Sequence, residues 1–130
     1  MMKKILIIDD SATLRRLMKY TISRVVKGLV YFEASNGIEG LEKLRQLNPD
    51  IIVLDINMPK MNGVDFLKEK NNDDSYKGIP VIILTNEENL FDKIDLQKFD
   101  NVYFLPKPFN VSKMKEILVK ISEGLKSEKK

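Results

Sequence analysis

The sequence predicts a single α/β domain built on a five-stranded parallel sheet, doubly wound, with helices on both faces. Four short apolar runs lack the polar alternation of a half-exposed antiparallel strand, which is typical of strands buried on both faces. Between the runs, apolar residues recur three and four positions apart, as on one side of a helix. Strand and helix patterns alternate without an internal repeat or a linker. This alternation favours an open parallel sheet.

The strands are predicted where apolar residues follow one another without interruption. The four strong runs are Ile5–Ile8, Ile51–Leu54, Ile79–Leu84 and Val102–Leu105. A weaker run, Leu29–Phe32, fits a strand at the edge of the sheet. In chain order the weaker run is the second strand, so the other three runs become the third, fourth and fifth.

The helices are predicted from apolar stripes and from one capping pattern. Asn62 followed by Asp65 resembles a capping box, and it would open a third helix that carries Val64 and Leu67. A fourth helix is predicted over Glu88–Phe99, where apolar residues are sparse among charges. The three stripes comprise Leu14, Leu17, Met18, Ile22 and Val25 in the first helix, Ile38, Leu41, Leu44 and Leu47 in the second, and Val111, Met114, Ile117, Leu118, Ile121 and Leu125 in the last.

Composition excludes several classes of function. The chain has no cysteine, which excludes disulfide scaffolds, thiol catalysis and thiolate metal sites. It has no histidine either, which excludes a Ser-His-Asp triad, a His-ligated zinc and a His general base. With 43% hydrophobic and 32% charged residues, the chain is not of the disordered class.

Targeting and charge patterns point to no membrane and no nucleic acid. The longest apolar runs are about five residues, against the ~18 that a membrane span needs. The N-terminus lacks the apolar core and cleavage site of a signal peptide, so a soluble cytoplasmic protein is expected. Twenty-two basic and nineteen acidic residues give a net charge of +3, and the surplus is scattered. A basic tail at residues 126–130 is one alternative, and a solvated helix end is the other.

Polar side chains stand at the ends of four separate apolar runs. Asp9 and Asp10 follow the first strand, Asp55 ends the third, Thr85 ends the fourth, and Lys107 lies just past the fifth. Because ligands of open α/β sheets bind outside the carboxyl ends of the strands, we expect these groups to converge. Converging carboxylates need a cation, and a set of oxygen ligands suits Mg²⁺. The pattern therefore predicts a magnesium site that handles phosphoryl groups.

Each of these residues alone has an ordinary structural explanation. An aspartate just before a helix is often only an N-cap, and Asp10 precedes one. Asp55 fits that explanation less well because residues 56–61 separate it from the next helix. Thr85 could equally cap a helix, and an isolated Lys107 would be a solvated lysine. The functional interpretation therefore depends on the joint arrangement.

The chain resembles a response-regulator receiver domain, and among these the single-domain chemotaxis type. The resemblance rests on four segments in order, namely residues 3–11 around Asp9-Asp10-Ser11, residues 54–63 (LDINMPKMNG), Leu84-Thr85, and residues 105–109 (LPKPF). It implies a receiver domain over residues 1–126 with a tail at 127–130. It also implies the flavodoxin-like strand order 2-1-3-4-5, which the alternation of strands and helices does not by itself predict.

The resemblance implies a role for each site residue. Asp55 would be the nucleophile that accepts a phosphoryl group from the phosphohistidine of a sensor histidine kinase or phosphotransfer protein. Asp10, Asp55 and, through water, Asp9 would hold Mg²⁺ together with the backbone carbonyl of Asn57. The activity would be self-catalysed phosphorylation and dephosphorylation of one aspartate, and not turnover of a small molecule. Such a phosphoacceptor is intermediate between an enzyme and a binding protein, because the group that reacts is its own aspartate.

The remaining roles concern the phosphoryl oxygens and a switch. By resemblance, Lys107 would pair with a phosphoryl oxygen or with Asp55. A cis peptide between Lys107 and Pro108 would direct the lysine into the site, and Thr85 would donate its hydroxyl to another phosphoryl oxygen. Thr85 would then move toward the phosphoryl group and leave space for Phe104 to rotate inward. Many relatives carry tyrosine at the position of Phe104. Tyr103, one residue earlier, would lie on the opposite face of the strand. Simple core packing of Phe104 is the alternative.

The segment after the fourth strand and the loop after the third carry further expectations. Asn86 stands where the family commonly has a smaller residue, which could narrow access to the site. Asn57 and Glu87 match the pattern of short-lived phosphorylation, so self-hydrolysis is expected. Pro59 and Gly63 are assigned structural roles, with Gly63 permitting a backbone conformation that a side chain would penalise.

We expect a monomer that acts on a separate output protein through its 87–105 face, although an excised receiver would look the same. A magnesium-dependent phosphatase of haloacid-dehalogenase type is an alternative, but it would need an Asp-x-Asp pair and a cap. A flavodoxin would need a Ser/Thr/Gly-rich phosphate loop in place of Asp9-Asp10. A binding module that works without phosphorylation remains the third possibility.

Overall fold

Strands and helices alternate between residues 4 and 85 of the computed structural model, which describes residues 3–56, 58, 61, 63–85, 101–107 and 110–128. The predicted helix over 88–99 lies outside these residues. The strands are β1 (Lys4–Ile8), β2 (Val30–Ala34), β3 (Ile51–Asp55), β4 (Val81–Thr85) and β5 (Val102–Pro106). The helices of the described part are α1 (Ala12–Ser23), α2 (Gly37–Leu47), α3 (Gly63–Asn71) and α4 (Val111–Glu128).

The five strands form one parallel sheet in the order β2-β1-β3-β4-β5, which confirms the predicted topology. The three inner strands are the strongest apolar runs, and β1, β3 and β4 are almost wholly buried. The weaker run became the edge strand β2, as predicted, because an edge strand needs fewer apolar residues to bury. The winding reverses between β1 and β3, and ligands of open α/β sheets bind outside the strand ends at such a point.

Apolar side chains alternate between two cores, one on each face of the sheet. On one face, Leu6, Ile8 and Ile52 pack with α2 and α3 through residues such as Leu44 and Phe66. On the other face, the intervening strand residues pack with α1 and α4. The second core comprises Ile5, Ile7, Met18, Ile22, Ile51, Val53, Ile82, Leu84, Leu105, Met114, Ile117, Leu118 and Ile121. Helices therefore cover both faces, as the sequence predicts.

Three residues of the predicted stripes are exposed instead of buried. Leu17 is 48% exposed, Ile38 49% and Val111 55%. In α1 the buried residues are Met18, Thr21 and Ile22, and Leu17 lies one helical step of about 100° from Met18, at the margin of that face. The apolar stripes that contact the sheet are thus narrower than the sequence pattern indicates.

Two strand boundaries differ from the prediction by two residues, and the others differ by at most one. β4 begins at Val81 and not at Ile79, because Pro80 has no N–H to donate to the ladder. Its carbonyl still accepts a hydrogen bond from Ile52 N at 3.0 Å. β2 runs to Ala34, two residues further than predicted, and its register pairs Ile8 with Ala34. The extension brings the Ala34 carbonyl beside Asp9, whose N–H donates to it.

The last helix, α4, packs on the sheet through Met114, Leu118 and Ile121. Neither it nor any other helix in the described ranges is long and apolar enough to cross a membrane. The helix ends at Glu128, inside the segment 127–130 that the sequence sets apart as a tail. The division into domain and tail stays a prediction.

Candidate functional site

Three aspartates meet at the carboxyl ends of β1 and β3. One carboxylate oxygen from each of Asp9, Asp10 and Asp55 lies within 4.8 Å of the others. Asp9 is 1% exposed and Asp55 3% exposed, whereas Asp10 faces solvent. The convergence expected from the parallel topology is therefore present, and it places two buried carboxyl groups beside a third that opens the cluster to solvent.

Asp9 is held in the cluster by hydrogen bonds of its backbone and its side chain. Its backbone N–H donates to the Ala34 carbonyl at 3.0 Å, and its Oδ1 accepts from the Ser11 N–H at 2.8 Å. Its Oδ2 is buried and has no hydrogen-bond partner among the described residues. Burial raises the pKa of Asp9 to about 6, the Ser11 N–H opposes the rise, and the nearby charge of Asp55 adds to it.

The N-cap of α1 is Ser11, and not an aspartate of the acidic pair. Ser11 Oγ accepts a hydrogen bond from Leu14 N at 3.2 Å. This contact satisfies a backbone donor in the first turn, which is what an N-cap does. The structural explanation offered for Asp10, that it merely caps the helix, is therefore wrong.

Lys107 reaches the cluster from the end of β5. Its Nζ lies 3.0 Å from Asp55 Oδ1, and its side chain is 26% exposed while that of Asp55 is 4% exposed. Its backbone N–H donates to the Thr85 carbonyl at 2.8 Å, so the lysine is anchored where β4 and β5 end. Lys107 is thus not an ordinary solvated lysine.

Thr85 and Phe104 lie on the same face of the sheet. Thr85 is 6% exposed at the end of β4, and its neighbour across the ladder is Pro106. Phe104 pairs with Ile83 and packs against the core on the α2–α3 face. Tyr103 packs against the opposite core, as predicted. The packing of Phe104 is consistent both with a simple core role and with a switch, which stays a prediction.

Gly63 is required by space, and not by its backbone conformation. A Cβ atom at Gly63 would lie 2.7 Å from Ile56 Cα and 2.8 Å from the carbonyl oxygen of Asp55. Among the described glycines, only Gly28 has a positive φ. Gly63 N–H also donates to the Ile56 carbonyl at 3.0 Å. The glycine therefore lets α3 start directly against the backbone of the Asp55 turn.

Sequence reasoning missed one residue that contacts the acidic loop. Arg15 Nη1 donates to the carbonyl oxygen of Asp9, and Arg15 Nε donates to Glu33 Oε1 at 2.9 Å. Side chains of a helix lean toward its N-terminus, so a basic residue one turn after Ser11 points back at the loop. That spacing is the signal that could have identified Arg15.

Four further expectations before and after the segment 86–100 fall on residues that the structure does not describe. These are Asn57, expected to offer its backbone carbonyl to a cation; Pro59, expected to shape the loop; Asn62, expected to open the capping box; and Pro108, expected to form a cis peptide with Lys107. The segment 86–100, which makes up most of the predicted output face, also lies outside the described residues.

Comparison with known proteins agrees with this geometry. Residues 5–119 match the family model described as response regulator receiver domain. This chain belongs to the response regulator receiver family. The receiver is 39% identical over 117 residues to the chemotaxis protein CheY1 of Helicobacter pylori, covering 88% of this chain and 93% of that protein. It is 37% identical over 124 residues to the chemotaxis protein CheY of Thermotoga maritima, covering 93% and 98%.

A solved structure gives the same answer for the fold. The receiver superposes on the chemotaxis response regulator CheY4 of Vibrio cholerae with a TM-score of 0.80 and 30% identity, covering 93% of this chain and 99% of that one. The chain is a CheY-type receiver domain of a two-component response regulator. The comparisons give no support to the haloacid-dehalogenase alternative.

The acidic cluster of this receiver fits a divalent cation. Receiver domains bind Mg²⁺ at an acidic pocket, and in this receiver Asp9, Asp10 and Asp55 form an acidic cluster. A buried carboxylate oxygen without a partner is costly in a folded protein, and a cation would satisfy it. The donor set is carboxylate oxygen, without the nitrogen or sulfur that would select zinc, and it therefore suits Mg²⁺.

Proposed function

We propose that Asp55 is the phosphoacceptor of this receiver. The observation that carries the proposal is the placement of its Oδ1 3.0 Å from Lys107 Nζ within the cluster of three aspartates. An ionised carboxylate between cationic groups is a competent nucleophile toward phosphorus. The Asp55 oxygen would attack phosphorus as the bond from phosphorus to the donor breaks, and the donor would leave with the electron pair.

The residues proposed to hold Mg²⁺ are Asp9, Asp10 and Asp55, with the backbone carbonyl of Asn57. The unpartnered Oδ2 of Asp9 and its pKa of about 6 support a site that is incomplete without a cation. When bound, the cation supplies positive charge to the phosphoryl oxygens. Asp10, being exposed, leaves the cluster open to solvent and to a donor.

Lys107 and Thr85 are proposed to contact the phosphoryl group. Lys107 would exchange its ion pair with Asp55 for one with a phosphoryl oxygen, and it would thereby hold the group in place. Thr85 would donate its hydroxyl to a second oxygen. Self-dephosphorylation would follow when a water oxygen attacks phosphorus and the bond to Asp55 breaks, which regenerates the carboxylate. Asn57 and Glu87 are proposed to set its rate.

The proposed output switch couples Thr85 to Phe104. The two residues lie on one face of neighbouring strands, so a shift of Thr85 toward a phosphoryl group changes the space beside Phe104. Because phenylalanine has no hydroxyl, the change would act through packing alone. A ligand biases such a switch only by binding one of its two states more tightly.

The proposed partners are a donor and a receiver of the signal. Receivers of this kind interact with histidine kinases and downstream effectors. For this chain we propose a sensor histidine kinase or phosphotransfer protein as donor and a separate output protein on the 87–105 face. The names of its relatives support a chemotaxis pathway. We further propose a cytoplasmic monomer whose receiver unit spans residues 1–126.

The experiment is incubation with Mg²⁺ and acetyl phosphate, read by intact mass. The native chain should gain one phosphoryl group, and the gain should be lost with EDTA. Asp55→Asn should gain none. Asp50→Asn is the matched control, since Asp50 is an aspartate at the opposite end of the sheet, and it should gain the group like the native chain. A native chain that stays unmodified would instead favour a module that works without phosphorylation.

A further inference from the structure

Arg15 connects three parts of the molecule through one guanidinium group. It lies in α1, where its side chain is 16% exposed. Its Nη1 donates to the carbonyl oxygen of Asp9 at the end of the first strand, and its Nε donates to Glu33 Oε1 on β2 at 2.9 Å. A guanidinium is planar and presents its donors in a fixed fork, so these two contacts also fix its orientation.

The carbonyl that Arg15 binds belongs to the peptide between Asp9 and Asp10. Both carboxylates therefore extend from the two ends of the peptide plane that Arg15 holds. The same segment is fixed by the Asp9 N–H on the Ala34 carbonyl at 3.0 Å and by the Ser11 N–H on Asp9 Oδ1 at 2.8 Å. Asp9 Oδ2 is buried and lacks a hydrogen-bond partner among the described residues.

Glu33 holds Arg15 from the other side. It pairs with Arg15 and with Lys19 Nζ, each at 2.9 Å, and its backbone carbonyl accepts from Lys43 Nζ. The hydrogen bond from Lys19, together with that from Arg15, lowers the pKa of Glu33, so the residue is a carboxylate at neutral pH. Lys19 thus shares the acceptor of Arg15 without reaching the Asp9 carbonyl, which makes it a useful control.

We propose that Arg15 is a positioning residue for the cation site, which holds the Asp9–Asp10 peptide so that both carboxylates face the cluster. Glu33 in turn holds Arg15. This inference rests on the proposed function, because it assumes that the acidic cluster binds Mg²⁺. Partners that orient a metal ligand from outside the site typically change metal affinity by about 10- to 100-fold when removed.

The sign of the effect separates positioning from simple electrostatics. A positive charge near a cation site repels the cation, so removing charge alone should tighten Mg²⁺ binding slightly. Loss of an anchor on the ligand backbone should weaken it. Arg16, the next residue, is exposed on the same helix and offers the same loss of charge without the Asp9 contact.

The test is calorimetric titration of the full chain with Mg²⁺ in the absence of any phosphodonor. Arg15→Gln should raise the Kd about 10-fold. Arg16→Gln should leave the Kd unchanged or slightly lower, and Lys19→Gln should change it less than about 3-fold because only a half-exposed ion pair is lost. Glu33→Gln should weaken binding in the same direction as Arg15→Gln. Arg15→Lys keeps the charge but not the fork, and it should restore binding in part.

A second readout needs no metal. The amide nitrogen of Asp10 belongs to the peptide whose carbonyl Arg15 binds, so its NMR shift in the metal-free protein should move in Arg15→Gln and not in Arg16→Gln. Urea unfolding of each variant establishes that it is folded under the titration conditions.

The outcomes are distinct for the two proposals. Equal Kd values for the native chain and Arg15→Gln, or equal weakening by Arg15→Gln and Arg16→Gln, would overturn the positioning role. An unmoved Asp10 amide shift in Arg15→Gln would overturn it as well. A native chain that binds no Mg²⁺ would overturn the proposed cation site, and the positioning role with it.

Discussion

The sheet has an amino edge, where its strands begin, and a carboxyl edge, where they end. An aspartate at each edge differs in how its carboxylate is hydrogen-bonded. At the amino edge, Asp50 Oδ2 accepts hydrogen bonds from the backbone N–H groups of Lys3 and Lys4, at 2.8 and 2.9 Å. At the carboxyl edge, Asp9 uses one oxygen for the Ser11 N–H and buries the other without a partner among the described residues. Asp50 thus provides an acceptor for backbone N–H groups at the start of β1, whereas Asp9 keeps one oxygen without a hydrogen bond.

This difference indicates that the carboxyl edge, and not the amino edge, can bind a cation. A satisfied carboxylate contributes to stability and has little left to offer a ligand. An unsatisfied one costs stability in the metal-free protein, and a cation can recover that cost. The amino edge is closed further by Asn101, whose carbonyl accepts from Val81 N and whose side chain donates to the Gly78 carbonyl, each at 2.9 Å.

The largest stability effect is expected from Asp9→Asn in metal-free protein. The folded state raises the pKa of Asp9 from 3.8 to about 6, so folding favours the protonated form. Stability from this group is complete below pH ~3.8 and is lost as pH rises to ~6. At pH 7.5 the neutral amide avoids the cost, and the free energy of unfolding in EDTA should rise by about 2–3 kcal/mol.

The pH dependence provides the control for this prediction. At pH 4 the difference between Asp9→Asn and the native chain should nearly vanish, because the native carboxyl group is then mostly protonated in the folded state. Urea unfolding at both pH values measures it. A variant that is less stable than the native chain at pH 7.5 would mean that the buried Oδ2 is not a source of instability.

A smaller effect of opposite sign is expected at the amino edge. Asp50→Ala leaves the Lys3 and Lys4 N–H groups without their acceptor, and the free energy of unfolding should fall by about 1–2 kcal/mol. Asp50→Asn keeps an acceptor oxygen in place, so it should cost less than half as much. Both bonds end on one oxygen, and for this reason the amide can replace it. Equal losses from the two variants would show that charge, and not hydrogen bonding, matters there.

The smallest effect is expected at Tyr31, which faces the core between α1 and the sheet. Its hydroxyl is buried without a hydrogen-bond partner among the described residues, and burial raises its pKa. Tyr31→Phe should therefore raise the free energy of unfolding by about 1 kcal/mol and leave Mg²⁺ binding unchanged. Tyr20→Phe is the control, because the Tyr20 hydroxyl is exposed and accepts from Arg24 at 2.9 Å, and its loss should change stability by less than ~0.5 kcal/mol.

An unsatisfied buried group is thus not a site by itself. Tyr31 and Asp9 both carry one, but only Asp9 lies beside two further carboxylates at the ends of parallel strands. If Tyr31→Phe also altered Mg²⁺ binding, the distinction between Asp9, which lies in the acidic cluster, and Tyr31, which does not, would fail.

The sequence determined the order of elements, the parallel sheet and the convergence of Asp9, Asp10 and Asp55. Continuous apolar runs can be buried only with both faces covered, and parallel strands end on one edge. The strand order came from the family resemblance, and the roles of Asn57, Thr85 and Phe104 stay predictions.

Only the tertiary structure decided which neighbours those residues have. The Arg15 contact with the Asp9 carbonyl and the burial of Asp9 Oδ2 depend on how α1 and β2 close around the loop. So does the choice of Ser11 as the N-cap. Such contacts are set by side-chain directions and distances between elements far apart in the chain, and residue pattern alone carries no such information.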